Sequence, residues 1–258
     1  QELFKKYPNQ IAAVITEPER LDCSSCNCEL SQKNFLDKAI KLTKSNGALF
    51  ILDEMVTGYK VGFPGAITEY NLNPDMATWG KGIANGFSFC ALTGKKEVMQ
   101  LGGINSLGEE KVFLISTTHG GETHSIRAGL KTLEIFKKYN VIKHNQSVGD
   151  KIIELSTKAI IDAELDNYIK VIPCNWVVGF VFHDKNRNVS LKYRTLFMQT
   201  MIENGVLFQG IFIPCYSHSE TEIEMFNKIF KLSLVTYKKA IEESADKYLI
   251  GESTKPVF

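Results

Sequence analysis

The stretch Leu49-Phe50-Ile51-Leu52-Asp53-Glu54-Met55-Val56-Thr57-Gly58-Tyr59 joins an apolar run directly to two acidic residues. Four apolar residues in succession after Gly47 predict a strand that is buried on both faces, as in a parallel sheet. An aspartate at the carboxyl end of such a strand lies at the edge where α/β sheets bind their ligands. The stretch therefore predicts an α/β fold with a ligand site at Asp53.

The segments before this stretch are consistent with a parallel sheet. Residues 11–15 form another continuous apolar run, which predicts a second buried strand that ends at Glu17-Pro18. Residues 31–45 have helical periodicity and end at Asn46-Gly47, a typical helix stop. Strand, helix and strand in this order imply a right-handed parallel crossover, which brings Glu17 beside Asp53. Glu17 is then either a solvated loop acid or a residue close to the site.

A single lysine follows the next short apolar segment. Lys81 stands in Trp79-Gly80-Lys81-Gly82, after an irregular connection of residues 58–74 that contains glycine and proline. Long connections of this kind in compact domains are usually functional. Residues 87–92 then predict another strand. Taken alone, a lysine in such a place is more typical of a protein surface.

Residues 112–115 predict a further buried strand that leads to hydroxyl side chains. Ser116, Thr117 and Thr118 follow it, and a helix is predicted over residues 123–139. Hydroxyl donors, glycines that permit close backbone approach and a helix dipole together suit an anion site. The alternative is that one of the two threonines only caps the helix.

The sequence pattern changes after residue 139. Helical periodicity and short strand patterns alternate there, with helices predicted over 148–165, 193–204 and 219–244 and strands over 176–183 and 206–212. Such a mixture without another buried parallel run predicts a small α+β domain. We therefore expect two domains, residues 1–139 and residues 140–258.

The motifs described so far resemble one enzyme family in their order and spacing. Residues 53–59, with Asn73-Pro74-Asp75-Met76-Ala77-Thr78-Trp79-Gly80-Lys81-Gly82-Ile83-Ala84-Asn85-Gly86, resemble the class III (subgroup II) pyridoxal-phosphate (PLP) aminotransferases. Residues 12–18 and 116–121 also fall in the family's order. The chain is most similar to the glutamate-1-semialdehyde 2,1-aminomutase-like branch, which also has an apolar residue at the place of Val56, where many aminotransferases have a glutamine.

The resemblance implies a fold and an activity. The fold is type I of the PLP-dependent transferases, which is aspartate aminotransferase-like. Residues 1–139 would form the C-terminal half of the cofactor-binding large domain, with a mainly parallel sheet, and residues 140–258 the small domain that closes over the cofactor. The activity is amino-group transfer between a small-molecule amino donor and a carbonyl acceptor, by an aminotransferase or an aminomutase.

The resemblance also assigns roles to three residues. A PLP site needs a lysine amine that forms a Schiff base with the cofactor and then shuttles a proton, and Lys81 fits this role. It needs an acid beside the ring nitrogen that keeps the nitrogen protonated, and Asp53 fits that role. Met55 occupies the place of a small apolar residue that lies against the ring face in the family.

A homodimer with shared active sites is a further implication of the resemblance. Thr117, with Thr118 as the second candidate, matches the threonine that binds the cofactor phosphate of the neighbouring subunit, and Glu17 falls near the active site. The family's remaining phosphate donors and its stacking aromatic residue lie upstream of the segment that matches Ile11. Because the chain begins at Gln1 within a helix-like pattern, we expect a missing N-terminal segment.

Composition and charge narrow the classes of function. A chain of 258 residues with 44% hydrophobic residues and a net charge of +1 is typical of a soluble globular protein. Its scattered lysines are balanced by acids, and it has neither an apolar run of membrane-spanning length nor a signal peptide. We therefore expect a cytoplasmic enzyme with no nucleic-acid or membrane partner.

The cysteines favour free thiols over a metal site. Cys23, Cys26 and Cys28 crowd into one short segment and could bind zinc or an iron-sulfur cluster, but a structural zinc site takes four ligands. No metal is therefore expected. The three other cysteines stand in apolar stretches and are interpreted as reduced core residues: Cys90, Cys174 and Cys215.

The histidines and arginines do not identify a substrate. His119, His124 and His218 are more simply structural, with His218 a weak candidate near the substrate mouth. None of the arginines (Arg20, Arg127, Arg187 and Arg194) stands at an obvious site position. An amino-aldehyde, a keto-sugar and a small oxo acid all stay open as substrates. Two other classes also stay open: a cofactor-free Schiff-base enzyme such as an aldolase, and a catalytically silent homologue that acts as a binding module.

Overall fold

The structure, a computed structural model, describes residues 1–19, 29–103, 110 and 120–255. The chain divides into two compact units, Gln1–Ile142 and Lys143–Phe258. One hydrophobic core lies in each unit. Among the described residues, no helix combines the length and the apolar character needed to cross a membrane.

The first unit is built on a four-stranded sheet. Its strands are β1 (Ala13–Thr16), β2 (Leu49–Glu54), β3 (Met76–Trp79) and β4 (Ala91–Gly94), in this spatial order. The first three strands are parallel, and β4 runs antiparallel to β3. The predicted α/β class with a mainly parallel sheet is therefore confirmed. The helices of this unit are α1 (Glu2–Lys6), α2 (Glu29–Ser45), α3 (Ala66–Glu69), α4 (Lys96–Met99) and α5 (Thr123–Tyr139).

Helices α2 and α5 cover one face of this sheet. Leu36 and Ile40 of α2 pack in the same cluster as Phe50 and Leu52 of β2. Leu133 and Phe136 of α5 pack against that cluster, and α5 has the predicted boundaries. The chain leaves α2 through Gly47, whose φ of +71° is a left-handed conformation that glycine adopts without strain. We call this side of the sheet the covered face.

We call the opposite side of the sheet the open face. Two expectations about the burial of its side chains are wrong. Strand β2 was expected to be buried on both faces, but its side chains alternate between buried and half-buried. The apolar run that contains β1 was also expected to be buried, yet Ile15 is 58% exposed. Strand β1 lies at the edge of the sheet, and alternate side chains of β1 and β2 point to the side that the described helices do not cover.

Other boundaries in the first unit differ from the expected ones. The strand predicted over 87–92 is β4 at Ala91–Gly94, and Phe87 before it is exposed. The connection expected to be irregular contains the single-turn helix α3. The expected strand over 112–115 and the thiols of Cys23, Cys26 and Cys28 lie outside the described residues.

The Asp75 carboxylate links several elements on the covered face of the sheet. Its carboxylate accepts a hydrogen bond from the Phe50 N–H at 2.9 Å and one from Lys95 Nζ at 2.8 Å, and Lys44 Nζ lies 3.5 Å away. Burial alone would raise the pKa of Asp75. The hydrogen bonds from Lys95 and Phe50, with the two positive charges, outweigh burial and lower the pKa. The ionised carboxylate therefore ties α2, β2 and β3 to the residue that precedes α4.

The second unit is an α+β structure around an aromatic core. Its antiparallel strands are β5 (Ile169–Ile172), β6 (Val178–Phe182) and β7 (Ile211–Phe212), with helices α6 (Val141–Asp162), α7 (Leu191–Glu203) and α8 (Glu220–Glu242). The Tyr237 hydroxyl is buried in this core and donates to the His183 carbonyl at 2.5 Å. Burial raises the pKa of Tyr237, so the phenol stays protonated. The predicted small α+β unit is thus confirmed, with β5 an unexpected strand.

Candidate active site

Asp53 and Lys81 lie at the same end of the sheet, where the parallel strands β2 and β3 have their carboxyl ends. Strands β2 and β3 are parallel neighbours, with Asp53 opposite Thr78 and Glu54 opposite Trp79. Lys81 comes after Gly80 at the carboxyl end of β3 and opens the single 3₁₀ turn Lys81–Ile83. Adjacent strands are about 4.8 Å apart, so the two side chains leave the backbone from neighbouring strand ends.

Asp53 is held by two hydrogen bonds on one oxygen. Its Oδ1 accepts from the Met55 backbone N–H at 3.0 Å and from the Thr78 hydroxyl at 2.9 Å. The side chain is half-buried and stands on the open face, as Thr78 does. A carboxylate fixed at one oxygen can accept further hydrogen bonds at the other.

Glu54 points to the covered face and has a different task. It is fully buried, and its two oxygens accept hydrogen bonds from the Thr57 hydroxyl at 2.5 Å and from the Ile67 N–H at 2.7 Å. A Cβ at Gly65 would lie 2.6 Å from the Glu54 carboxyl group, so this position requires glycine. The sequence pattern alone had suggested no role for Glu54. The alternation of the strand was the signal, because it separates the two acids onto opposite faces.

Lys81 is exposed and has an unusual backbone conformation. Its φ is +46°, in the left-handed region that side-chain-bearing residues seldom adopt. Such conformations are kept where the surrounding structure holds them, and they cluster at functional sites. Packing near the turn is close, since a Cβ at Gly82 would be 3.5 Å from Tyr59 Cβ and a Cβ at Gly58 would be 3.1 Å from the Trp79 ring.

A second lysine, missed by the sequence analysis, lies near Lys81. Lys60 is half-buried, and its Nζ donates to the Val56 carbonyl at 3.0 Å. Burial lowers the pKa of Lys60, and the positive charge of Lys81 lowers it further. Lys60 and Lys81 therefore place two positive charges close together at the end of the sheet where β2 and β3 end, which favours an anionic ligand. Residue spacing did not reveal Lys60, because the connection after Thr57 brings it back toward Lys81.

The other residues expected near the cofactor differ in their exposure and in whether the structure describes them. Met55 is half-buried at the start of the turn after β2. Glu17 directly follows β1 at the same edge of the sheet and is exposed. Thr117 and Thr118 lie outside the described residues. The N-cap residue of α5 is Glu122.

His218, in the second unit, is embedded in local contacts. Its Nδ1 accepts from the Cys215 N–H at 3.2 Å, and its carbonyl lies 3.1 Å from His144 Nε2. Burial lowers the pKa of His218, although the Glu222 carboxylate opposes the change. These contacts support a structural role for His218, and a place near a substrate mouth stays a prediction. His124 is exposed, and His119 lies outside the described residues.

The cysteines of the described segments are free thiols, but two of them are not core residues as expected. Cys90 and Cys215 are exposed, and only Cys174 is partly buried. Cys90 precedes β4 because the strand begins later than its apolar pattern indicated. Among the described residues, no group of three or more His, Cys, Asp or Glu side chains could hold a metal ion.

Comparison with known proteins decides the family. A model of the class-III aminotransferases matches residues 1–231. The chain belongs to this family. Among its relatives are the glutamate-1-semialdehyde 2,1-aminomutases of Thermosipho africanus and Legionella pneumophila, 31% and 32% identical over 241 and 215 residues. These alignments cover 87% and 80% of this class-III aminotransferase chain but 53% and 48% of the relatives, so the chain spans about half of their length.

Solved structures confirm the fold of this class-III aminotransferase chain. A transaminase with PLP bound superimposes with a TM-score of 0.79 at 20% identity, over 94% of this chain and 55% of that one. An omega-transaminase from Sphaerobacter thermophilus superimposes with a TM-score of 0.79 at 17% identity, over 92% of this chain and 55% of that one. The predicted transaminase-type fold is therefore confirmed.

Proposed function

We propose that the protein transfers an amino group between a small-molecule amino donor and a carbonyl acceptor with PLP as cofactor. The observation that carries this proposal is that Lys81, which is exposed, and Asp53, whose carboxylate is held at one oxygen, follow the carboxyl ends of neighbouring parallel strands in a class-III aminotransferase. When bound, PLP supplies an electron sink that stabilises negative charge at the substrate Cα.

Lys81 is proposed to hold the cofactor covalently and to move the proton. The Lys81 amine would hold PLP through the carbonyl carbon of the cofactor, with loss of water, and as a free amine it would act as the base for the proton at the substrate Cα. The exposure of Lys81 and the short turn that carries it suit both steps. Lys60, whose positive charge lies nearby, is proposed to attract the anionic cofactor or substrate to this edge.

Asp53 is proposed to bind the ring nitrogen and keep its proton in place. The residues present fit a PLP ring in this respect, because one oxygen of Asp53 is engaged by protein donors and the carboxylate stands on the open face. Met55 is proposed to form part of the wall beside the ring. Glu17 near the substrate and Thr117 or Thr118 at the phosphate remain proposals that rest on the family resemblance.

We also propose that the active protein is a homodimer whose sites need more polypeptide than these 258 residues. The homodimer rests on the family resemblance, and two findings support the need for more polypeptide. The chain spans about half the length of the relatives it matches, and the open face beside Asp53 exposes Ile15 and Leu92, which a working site would shield from water.

Reduction with borohydride tests the proposed role of Lys81. In the whole protein, sodium borohydride with PLP is expected to fix the cofactor on the peptide that contains Lys81, as read by mass spectrometry. Lys81→Ala should give no such peptide, whereas the control Lys96→Met, at an exposed lysine of α4, should still give it. A reduced adduct in Lys81→Ala would contradict the assignment. A donor and acceptor screen, followed by spectra of the half-reactions, then identifies the substrate.

Titration of the 258-residue chain tests the proposal of shared sites. We expect weak binding of PLP to this chain and tight binding to the whole dimeric protein, measured by fluorescence and by sedimentation. Tight stoichiometric binding of PLP by a monomer of the 258-residue chain would show that these residues form a complete site.

A further inference from the structure

Both hydrogen bonds that Asp53 accepts in the described part of the chain go to the same atom. The Thr78 hydroxyl donates to Oδ1 at 2.9 Å, and the Met55 N–H donates to Oδ1 at 3.0 Å. Two donors on one oxygen fix the rotation of the carboxylate about its Cβ–Cγ bond. Oδ2 is thereby left as the oxygen that can accept from a ligand.

We propose that Thr78 is a positioning residue that anchors Asp53 through Oδ1 and so presents Oδ2 to the ring nitrogen of PLP. This inference rests on the proposed function. It concerns an interaction of the chain with itself, which exists before any ligand binds. Thr78 acts through Asp53 and is not itself a catalytic residue.

The sheet gives Thr78 a fixed place from which to donate. Thr78 and Asp53 are direct partners across β3 and β2, both on the open face. The ladder of backbone hydrogen bonds sets the distance between the two strands, and a β-branched side chain has few rotamers. The hydroxyl therefore reaches Oδ1 from a rigid element.

The second donor is fixed by separate means. The Met55 N–H belongs to the turn after β2, and the buried Glu54 carboxylate holds this turn through Thr57 and Ile67. The two acids of the pair thus have complementary tasks. Glu54 orders the turn from the covered face, and Asp53 receives a donor from that turn on the open face.

Fixing one oxygen has a chemical consequence at the other. A hydrogen bond between an ionised carboxylate and a protonated ring nitrogen contributes most to binding when the acceptor is oriented before the ligand arrives. A carboxylate that was free to rotate would lose torsional freedom on binding and would bind more weakly. Removal of the Thr78 hydroxyl should therefore weaken the contact to the ring nitrogen and leave the other ligand contacts unchanged.

A comparison of two ligands tests this inference in the whole protein. Thr78→Val keeps the shape and removes the donor, and it is expected to weaken PLP binding about tenfold, as for loss of a hydrogen bond to a charged group. The affinity for 1-deazapyridoxal 5'-phosphate, which has a C–H in place of the ring nitrogen, should not change. Thr78→Ser should restore PLP affinity. The matched control is Thr16→Val on β1, which flanks β2 on the side away from Thr78. In the described structure, the Thr16 hydroxyl contacts only the Glu17 carbonyl.

A ligand-free measurement separates this inference from the proposed function. In the 258-residue chain, Thr78→Val should accelerate hydrogen exchange of the Met55 amide, because an unanchored carboxylate accepts from it less of the time. Thr16→Val should not. Equal losses of affinity for the two ligands, or an unchanged Met55 amide, would overturn the role of Thr78. If the wild-type whole protein binds neither ligand, the proposed function fails, and the Met55 amide alone decides the inference.

Discussion

On the covered face of the first sheet, Phe50 and Leu52 are fully buried, whereas on the open face Ile15 is 58% and Leu92 is 44% exposed. The same sheet supplies both sets of residues, since the side chains of each strand alternate between its two faces. The covered face packs against α2 and α5 and includes the buried Glu54. The open face carries Asp53 and Thr78. The packing that stabilises the fold therefore lies on one side of the sheet, and the candidate site lies on the other.

The largest contrast is expected between apolar truncations on the two faces. Leu52→Ala should lower the free energy of unfolding by about 3 kcal/mol, because it leaves a cavity in a closed core. Ile15→Ala should change it by no more than about 0.5 kcal/mol, as at a surface position. Urea denaturation followed by Trp79 fluorescence, in a Trp176→Phe background, reports on the first unit. Equal effects of the two truncations would mean that Ile15 on the open face is shielded from water in solution.

A second contrast concerns the two acids. Glu54→Ala should cost about 2 kcal/mol of unfolding free energy, because the Thr57 hydroxyl and the Ile67 N–H lose their buried acceptor. Asp53→Asn should leave stability within about 0.5 kcal/mol, since its partners are only half-buried. In the whole protein, however, Asp53→Asn should lose most turnover, because an amide cannot hold the ring nitrogen protonated. Near-normal turnover of Asp53→Asn would contradict the role proposed for the Asp53 carboxylate.

The smallest effect is the acid sensitivity of the covered face. The pKa of Asp75 is lowered in the folded protein, so its contribution to stability is complete above its ordinary value of 3.8 and disappears as the pH falls through the folded value. Asp75→Asn should lower stability by about 1 kcal/mol at pH 7 and flatten the decline below pH 3.8. Urea denaturation at a series of pH values measures this. An unchanged acid decline would show that other carboxylates carry it.

Sequence patterns predicted the helices and strands better than they predicted which side chains are buried and which distant segments are in contact. Helix α5 has the predicted boundaries because its apolar periodicity extends over several turns. Asp53 and Lys81 could be located at one sheet edge, because strand ends and a parallel crossover are local and topological features. The roles proposed for these residues remain predictions.

What the sequence could not reveal depends on contacts between distant segments. A continuous apolar run does not show which face of a strand is covered, and this explains the errors at β1 and β2. The proximity of Lys60 to Lys81 depends on how the connection after β2 folds back on the turn after β3. Thr78 looked like an ordinary strand residue until the register placed it opposite Asp53.

Gly80, the residue before Lys81, packs against the Met55 side chain. A Cβ at Gly80 would lie 2.3 Å from the Met55 methyl carbon and 2.7 Å from its sulfur. The backbone of Gly80 is extended, with a φ of −166°, so any residue could adopt its conformation and only the Met55 side chain limits its size. Because a thioether is flexible, a methyl group at position 80 would turn the Met55 side chain aside without disrupting the sheet. Over evolution, positions 55 and 80 should therefore vary as a pair, and a relative with a larger residue at 80 should have a smaller one at 55.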